Sequence, residues 1–238
     1  MPKQDLALKP TTMVAPAPSF VDTDASLGNE NVGSNDLLLP YLKLLQAMSP
    51  EVQEGPNNVE GARPGLILNT LTHETFEELL VVPVHFSTEF SVFAKRGAPV
   101  QGPAKFGSYG SEVDAAEALI AAGKDSNQYD IIQSGRNIIY VLDESGQIQT
   151  EALMYMDGSK LRVNREWNSL IRQTERPRFS GVWKLSTRRQ SNAQGSWFNY
   201  DVKWFGWVPS EDVYNRAKAL VEAIQEGTVN VSADDGTA

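Results

Sequence analysis

The stretch Leu79–Phe93, LLVVPVHFSTEFSVF, is dominated by β-branched and aromatic side chains. Such residues fit a pleated, half-buried surface better than a helix, so the stretch predicts a strand. Pro83 lies inside it and cannot donate to a ladder, which confines it to an edge position or a bulge. Similar runs recur at Gly65–Thr72, Asn137–Leu142, Gln149–Met156, Gly181–Gln190 and Ser196–Val208. Asp143-Glu144-Ser145-Gly146 is a turn, so its flanking strands form a hairpin. The polar segment Ser191–Gly195 separates the last two strands.

Helical signals sit between these runs. Ser111–Ala122 predicts a short helix capped by Ser111, with Val113, Ala116, Leu119 and Ile120 as its apolar stripe. Gly158 and Ser159 open a helix over roughly 159–174, stopped by Pro177. Ser210 caps a last helix with Glu211 and Asp212 in its first turn, and Gly227 ends it. Residues 97–110 are rich in Gly and Pro and predict a loop. The short run LKLLQ (42–46) is compatible with strand or helix. Strands and helices mix without βαβ regularity, which predicts an α+β fold with a mainly antiparallel sheet. The strand count fits a five-stranded barrel of the oligonucleotide-binding (OB) type with added helices.

Residues 1–35 carry Pro2, Pro10, Pro16 and Pro18 without a hydrophobic period, and read as a flexible tail before a domain at 36–226. Residues 227–238 read as a short acidic tail with Asp234 and Asp235. No run of about 18 apolar residues predicts a membrane span, and the start lacks the pattern of a secretory signal. The expected location is the cytoplasm.

Charge is distributed unevenly. Residues 159–207 hold ten basic and three acidic side chains, a local +7 in a chain of net −9, together with all five tryptophans. Basic groups neutralise phosphates and flat rings stack on unpaired bases. At about 100° per residue, Arg162, Arg165, Arg172 and Arg176 share an arc of about 80° on the predicted helix, opposite Val163, Trp167, Leu170 and Ile171. The helix should therefore dock through the apolar set, Trp167 included, and present an arginine row, with Glu166 off the row. In the last strand, alternation sends Phe198, Tyr200, Val202 and Trp204 to the core. Trp197, Lys203, Phe205 and Trp207 then share the accessible face. Across a loop at 191–195, Arg189 would face Trp197, with Arg188 beside it. Those side chains are the candidate phosphate contacts and stacking rings.

Catalytic chemistry has little to stand on. With no cysteine and only His73 and His85, thiolate nucleophiles, disulfides, zinc fingers and Fe–S clusters drop out. His73, Glu77 and His85 have no reason to converge on a metal, and Gly107-Ser108-Tyr109-Gly110 lacks the Gly-Lys-Ser/Thr of a phosphate loop. A non-enzymatic role without metal or cofactor is the expectation.

The succession LLPYLKLLQAMSPEV (38–52), GLILNTLT (65–72), LLVVPVHF (79–86), REWNSLI (165–171), PRFSGVWKLST (177–187), SWFNYDVKWFGWV (196–208) and RAKALVEAI (216–224) resembles bacteriophage single-stranded-DNA-binding proteins of replication and recombination. The resemblance implies an OB-type barrel that coats or holds open single strands with little sequence preference. It also implies phage or host replication, recombination or transcription proteins as partners, and homo-oligomers. The ending VSADDGTA lacks the long acidic tail or terminal aromatic by which such proteins often recruit partners. The alternative is a virion or assembly protein whose basic, aromatic segment is a subunit interface, since Arg, Trp and Tyr also concentrate in interfaces.

Overall fold

The expected strand around Pro83 is the longest among the described residues. In a computed structural model describing residues 38–229 except 101 and 194, β4 runs Glu78–Ala94. The N-terminal tail at 1–35 and nearly all of the acidic C-terminal tail lie outside the described residues. Upstream of β4, β1 (Leu42–Leu44), β2 (Ile67–Asn69) and β3 (Thr75–Phe76) form a small antiparallel sheet. LKLLQ thus contributes a strand. Downstream follow β5 (Lys105–Tyr109), α1 (Glu112–Ala121), β6 (Tyr129–Leu142) and β7 (Ile148–Asp157). The chain continues through α2 (Lys160–Gln173), β8 (Gly181–Asn192), β9 (Gly195–Trp207) and α3 (Glu211–Gln225).

The larger sheet has the order β7-β6-β4-β8-β9, with β5 pairing the far half of β4, and every strand pair in it is antiparallel. This is the expected α+β class. The expected five-stranded barrel is not confirmed: the pairing path begins at β7 and ends at β9 without closing. Two segments pack against both end strands: α2, and the β1 segment, where Tyr41 bridges Leu153 of β7 and the Leu42 carbonyl accepts from the Tyr200 hydroxyl of β9 at 3.1 Å. Val163, Trp167 and Ile171 of α2 share one core with Met154 and Met156 of β7 and Tyr200 of β9.

Pro83 sits at a bulge, one of the two positions open to it. The β4–β6 register steps from Pro83–Ile139 to His85–Ile138, which leaves Val84 out of the ladder, and pairing to β8 ends at Val81. Both faces of the sheet are covered. Val81, Ile139, Val141, Trp183 and Leu185 meet α2 and the small sheet. Val82, Val84, Ile138, Tyr140 and Leu142 meet Phe179 and, in α3, Val213 and Ala217. That double burial explains why NIIYVL is an unbroken apolar run rather than an alternating one.

Local chemistry fixes the ends. The Ser111 hydroxyl accepts the Asp114 N–H at 3.1 Å, and that of Ser210 accepts the Val213 N–H at 3.3 Å. The Asp143 carboxylate accepts the N–H groups of Ser145 and Gln147 at 2.8 and 2.9 Å, closing the β6–β7 turn. Three expectations are corrected. Lys105–Tyr109, expected as loop, pairs with β4. β6 begins eight residues earlier than Asn137. On α1, Ala115 and Leu119 are the buried residues, while Val113 and Ile120 are 65% and 73% exposed.

Candidate nucleic-acid interface

The amphipathic pattern of α2 places it largely as expected. Val163, Asn164, Trp167 and Ile171 are buried, and Arg162, Arg165 and Arg172 face outward. Arg176 is exposed just past the helix. Two details differ. Leu170, expected to dock, is exposed and lines a shallow open groove with Arg165, Glu166 and Ser169. Glu166, expected off the row, reaches it: its Oε1 accepts from Arg162 Nε at 2.9 Å, the pairing that an i,i+4 spacing favours. Among the described residues no acid pairs with Arg165, Arg172 or Arg176.

The α2–sheet joint holds a partly buried cation that the sequence did not single out. Arg178 donates from Nη1 to Asn168 Oδ1 at 2.8 Å and from Nη2 to Asn137 Oδ1 at 2.9 Å. Asn137 Nδ2 in turn donates to Asn164 Oδ1 at 3.0 Å. The guanidinium carbon lies 5.4 Å from the Phe86 ring centroid and 5.8 Å from that of Trp167. Burial pushes its pKa down to about 10. Gly135 is required beside this network, because a Cβ there would lie 2.5 Å from Asn164 Nδ2. The only hint in the sequence was that Asn137 and Asn164 interrupt otherwise apolar faces.

His85 lies in the field of the same region. Burial first, then the positive charges of Arg136 and Arg178, lower its pKa below the usual 6.5. A lowered folded-state pKa means that the unfolded chain binds the proton first. Stability should therefore be full above about pH 6.5 and fall as the pH drops from there toward the folded pKa. The urea midpoint of the wild type should drop more between pH 7.5 and 5.5 than that of His85→Gln; equal drops would remove His85 as the cause.

At the β8–β9 hairpin the basic residues are partly engaged. Lys203 Nζ and Arg188 Nη1 lie 2.8 and 4.0 Å from the Asp201 carboxylate, and Lys184 pairs with Glu78 at 2.9 Å. The expected Arg189–Trp197 partnership is corrected. Asn192 pairs with Gly195, so the turn is tighter than a loop at 191–195, and the register places Gln190 opposite Trp197 and Arg189 opposite Phe198. The Arg189 guanidinium reaches Ser196 Oγ at 3.0 Å instead. Trp197 is half-buried, with its indole nitrogen out of contact with solvent and without an acceptor. The β9 edge is shielded nearby, where the Gln46 side chain bonds both the N–H and the carbonyl of Phe198, at 2.9 and 2.8 Å.

The other end of β9 carries the exposed rings. The register skips between Val182 and Trp183: Trp183 faces Trp204, Val182 faces Gly206, and Phe205 is left over. The bulge lies beyond Trp204, which keeps phase with Tyr200 and Val202; expected in the core, it faces Trp183 but is 43% exposed. The extra residue brings Trp207, opposite Gly181, to the same side as Trp204. Phe205 and Trp207 are exposed as expected, at 58% and 59%. The indoles form a chain from interior to surface. Trp167 contacts Trp183 at 6.2 Å between centroids, Trp183 contacts Trp204 at 5.2 Å, and Trp204 contacts Trp207 at 4.9 Å, all edge to face. Gly181 makes room for it, since a Cβ there would meet the Trp204 ring at 2.4 Å. The outer indoles are thereby tied through Trp183 to the helix that carries the arginines.

Among the described residues, no group of three or more His, Asp or Glu side chains could hold a metal ion, and no helix is long and apolar enough to cross a membrane. No curated protein and no solved structure matches the chain. A family model does: that of the Pam3 phage gp34-like proteins matches residues 9–230, nearly the whole chain. The protein therefore belongs to the Pam3 phage gp34-like family, a family of bacteriophage proteins.

Proposed function

We propose that this phage protein is a non-catalytic single-stranded-DNA binder with little sequence preference, acting in the host cytoplasm during replication, recombination or transcription. The observation that carries the reading is the exposed Trp204–Phe205–Trp207 ledge, joined by ring contacts to the helix that bears Arg165 and Arg172. Rings of this kind accept any base by stacking, and arginines without acid partners are available to phosphates. Arg176 extends the basic row. Arg162, Arg188 and Lys203 contribute less, because each already has a carboxylate beside it. Trp197 is sheltered and is left out of the stacking surface.

With Arg165, Arg172, Arg176 and Arg189 as contacts, about three to four phosphates are neutralised, so log K against log salt should slope about −2 to −3 for single strands. Titration of a labelled oligonucleotide across salt concentrations measures it, and a slope near zero would sink the proposal. One observation favours a second reading. Three large rings stand exposed on one strand end while several neighbouring charges are already neutralised, as at a subunit interface of a virion or assembly protein. No oligonucleotide binding, combined with self-association lost on ring removal, would select that reading.

A further inference from the structure

The face of the large sheet that packs on α3 turns polar along its length. On β6 that face carries Leu142, Tyr140 and Ile138, all in the α3 core, and by alternation the next side chain on it is Arg136. The register sets Arg136 between Ser87 of β4 and Tyr155 of β7, and sets His85 opposite Ile138, one position nearer α3. Arg136 is half-buried there. Its Nε and Nη2 are out of contact with solvent, and neither has an acceptor. These two nitrogens lie on one edge of the guanidinium plane, the edge that can grip two oxygens of a single anion. Shielded donors without acceptors are costly, so a fold that keeps two on one edge has a use for them.

Neighbouring groups do not supply the acceptor. Among the described residues no acid pairs with Arg136. Glu89, on the same face, is occupied: its Oε1 accepts from the Ser91 and Ser108 hydroxyls at 3.0 and 2.8 Å, and Tyr155 Oη lies 3.5 Å from its Oε2. The other guanidinium near His85, that of Arg178, donates to Asn168 and Asn137. The positive field of the two arginines therefore stands uncompensated at His85, and with burial, the larger cause, it lowers the imidazole pKa.

We infer that Arg136, Ser87 and His85 form a binding site for a phosphate monoester, whether free phosphate, a mononucleotide or the phosphorylated end of a strand. The Arg136 fork takes two phosphate oxygens, and the Ser87 hydroxyl and the His85 imidazole serve a third. A planar carboxylate would use the fork alone. Because the fork is recessed between strands, it suits an end group on one tether better than a backbone diester on two. The Trp204 ring contacts Trp183, in the core on the opposite face of the sheet, so the site does not rest on strand binding.

The chain has only two histidines, so their imidazole resonances report on the site without a label, and His85→Gln assigns them. At constant ionic strength, inorganic phosphate should raise the His85 pKa by about one unit, since a nearby anion favours the charged imidazole. His73, exposed in the turn before β3, should not move. Arg136→Lys keeps the charge and loses the fork, so the phosphate concentration giving half the shift should rise about tenfold. If that variant does not fold, Ser87→Ala tests the same site and should raise it about threefold. Adenosine monophosphate should act as phosphate does, acetate more weakly and adenosine not at all. A 5′-phosphorylated oligonucleotide should shift His85, and the same strand without the phosphate should not. No shift with phosphate overturns the inference. So does an equal shift of His73, an equal response of Arg136→Lys and wild type, or acetate as effective as phosphate. Equal shifts with and without the terminal phosphate would overturn the monoester in favour of the strand backbone. Free phosphate contains no strand, so failure here is separate from failure of strand binding.

Discussion

Replacing Trp167 by Ala should lower the unfolding free energy by about 3–5 kcal/mol, the range for truncating a large buried aromatic. The ring is 1% exposed and belongs to the helix that packs against β7 and β9. It meets Trp183 edge to face at 6.2 Å and shares the Arg178 guanidinium with Phe86. Alanine would leave a cavity between helix and sheet and strip an aromatic face from a partly buried cation, and neither loss can be recovered by collapse without moving α2. The same helix supplies the control. Arg165→Ala and Arg172→Ala change only solvent-facing side chains and should stay within about 0.5 kcal/mol of wild type. Urea unfolding measures all three. A loss below about 1 kcal/mol for Trp167→Ala would mean that α2 is not fastened through this ring.

That contrast also marks what could be read from the amino acids. The arginine row faces outward because a helical period is written in every turn of α2: buried Val163, Trp167 and Ile171 alternate with Arg162, Arg165 and Arg172. The ion pair of Arg162 with Glu166 is equally local, a spacing of four, and was open to the same reasoning. The strands β4, β7, β8 and β9 were legible because β-branched and aromatic runs end at turn residues. The first half of β6, YDIIQSGR, was not. Its Ser134 and Gly135 are small, and Gly135 is covered by Asn164, which lies far along the chain. Nothing local records that contact. Arg178 follows a proline and looks like surface, and its burial exists only because Asn137, Asn164 and Asn168 converge from two elements. The open sheet has the same origin, since strand count cannot reveal that the pairing path will end at β7 and β9 without joining them. Alternation put Trp204 in phase with Tyr200, but it could not show that the core stops short of that ring; strict alternation also set Trp207 on the opposite face, and the bulged residue brings it to the side of Trp204.

The bulge is also what makes the surface ledge testable. Trp204→Ala combined with Trp207→Ala should weaken binding of a single-stranded oligonucleotide by about 2–6 kcal/mol, since each stacked ring is worth about 1–3 kcal/mol. In affinity that is between about 30-fold and about 10⁴-fold. The two rings touch, with centroids 4.9 Å apart, so their single-variant effects should not add simply. Trp207→Ala alone removes the more exposed ring and should leave the fold intact. Trp204→Ala also strips an edge contact from Trp183, so a modest drop in melting temperature is expected there. Anisotropy of a labelled oligonucleotide reads affinity without depending on the tryptophans being removed. Trp197→Phe is the matched control: its ring is half-buried at the opposite end of β9, and its loss should leave affinity within about twofold, the effect of a change below 0.5 kcal/mol. Unchanged binding by a folded Trp204/Trp207 double variant would remove the ledge as the stacking surface. If that variant instead lost self-association, the exposed rings would belong to a protein interface, and the arginines of α2 would have to carry any contact with a strand alone.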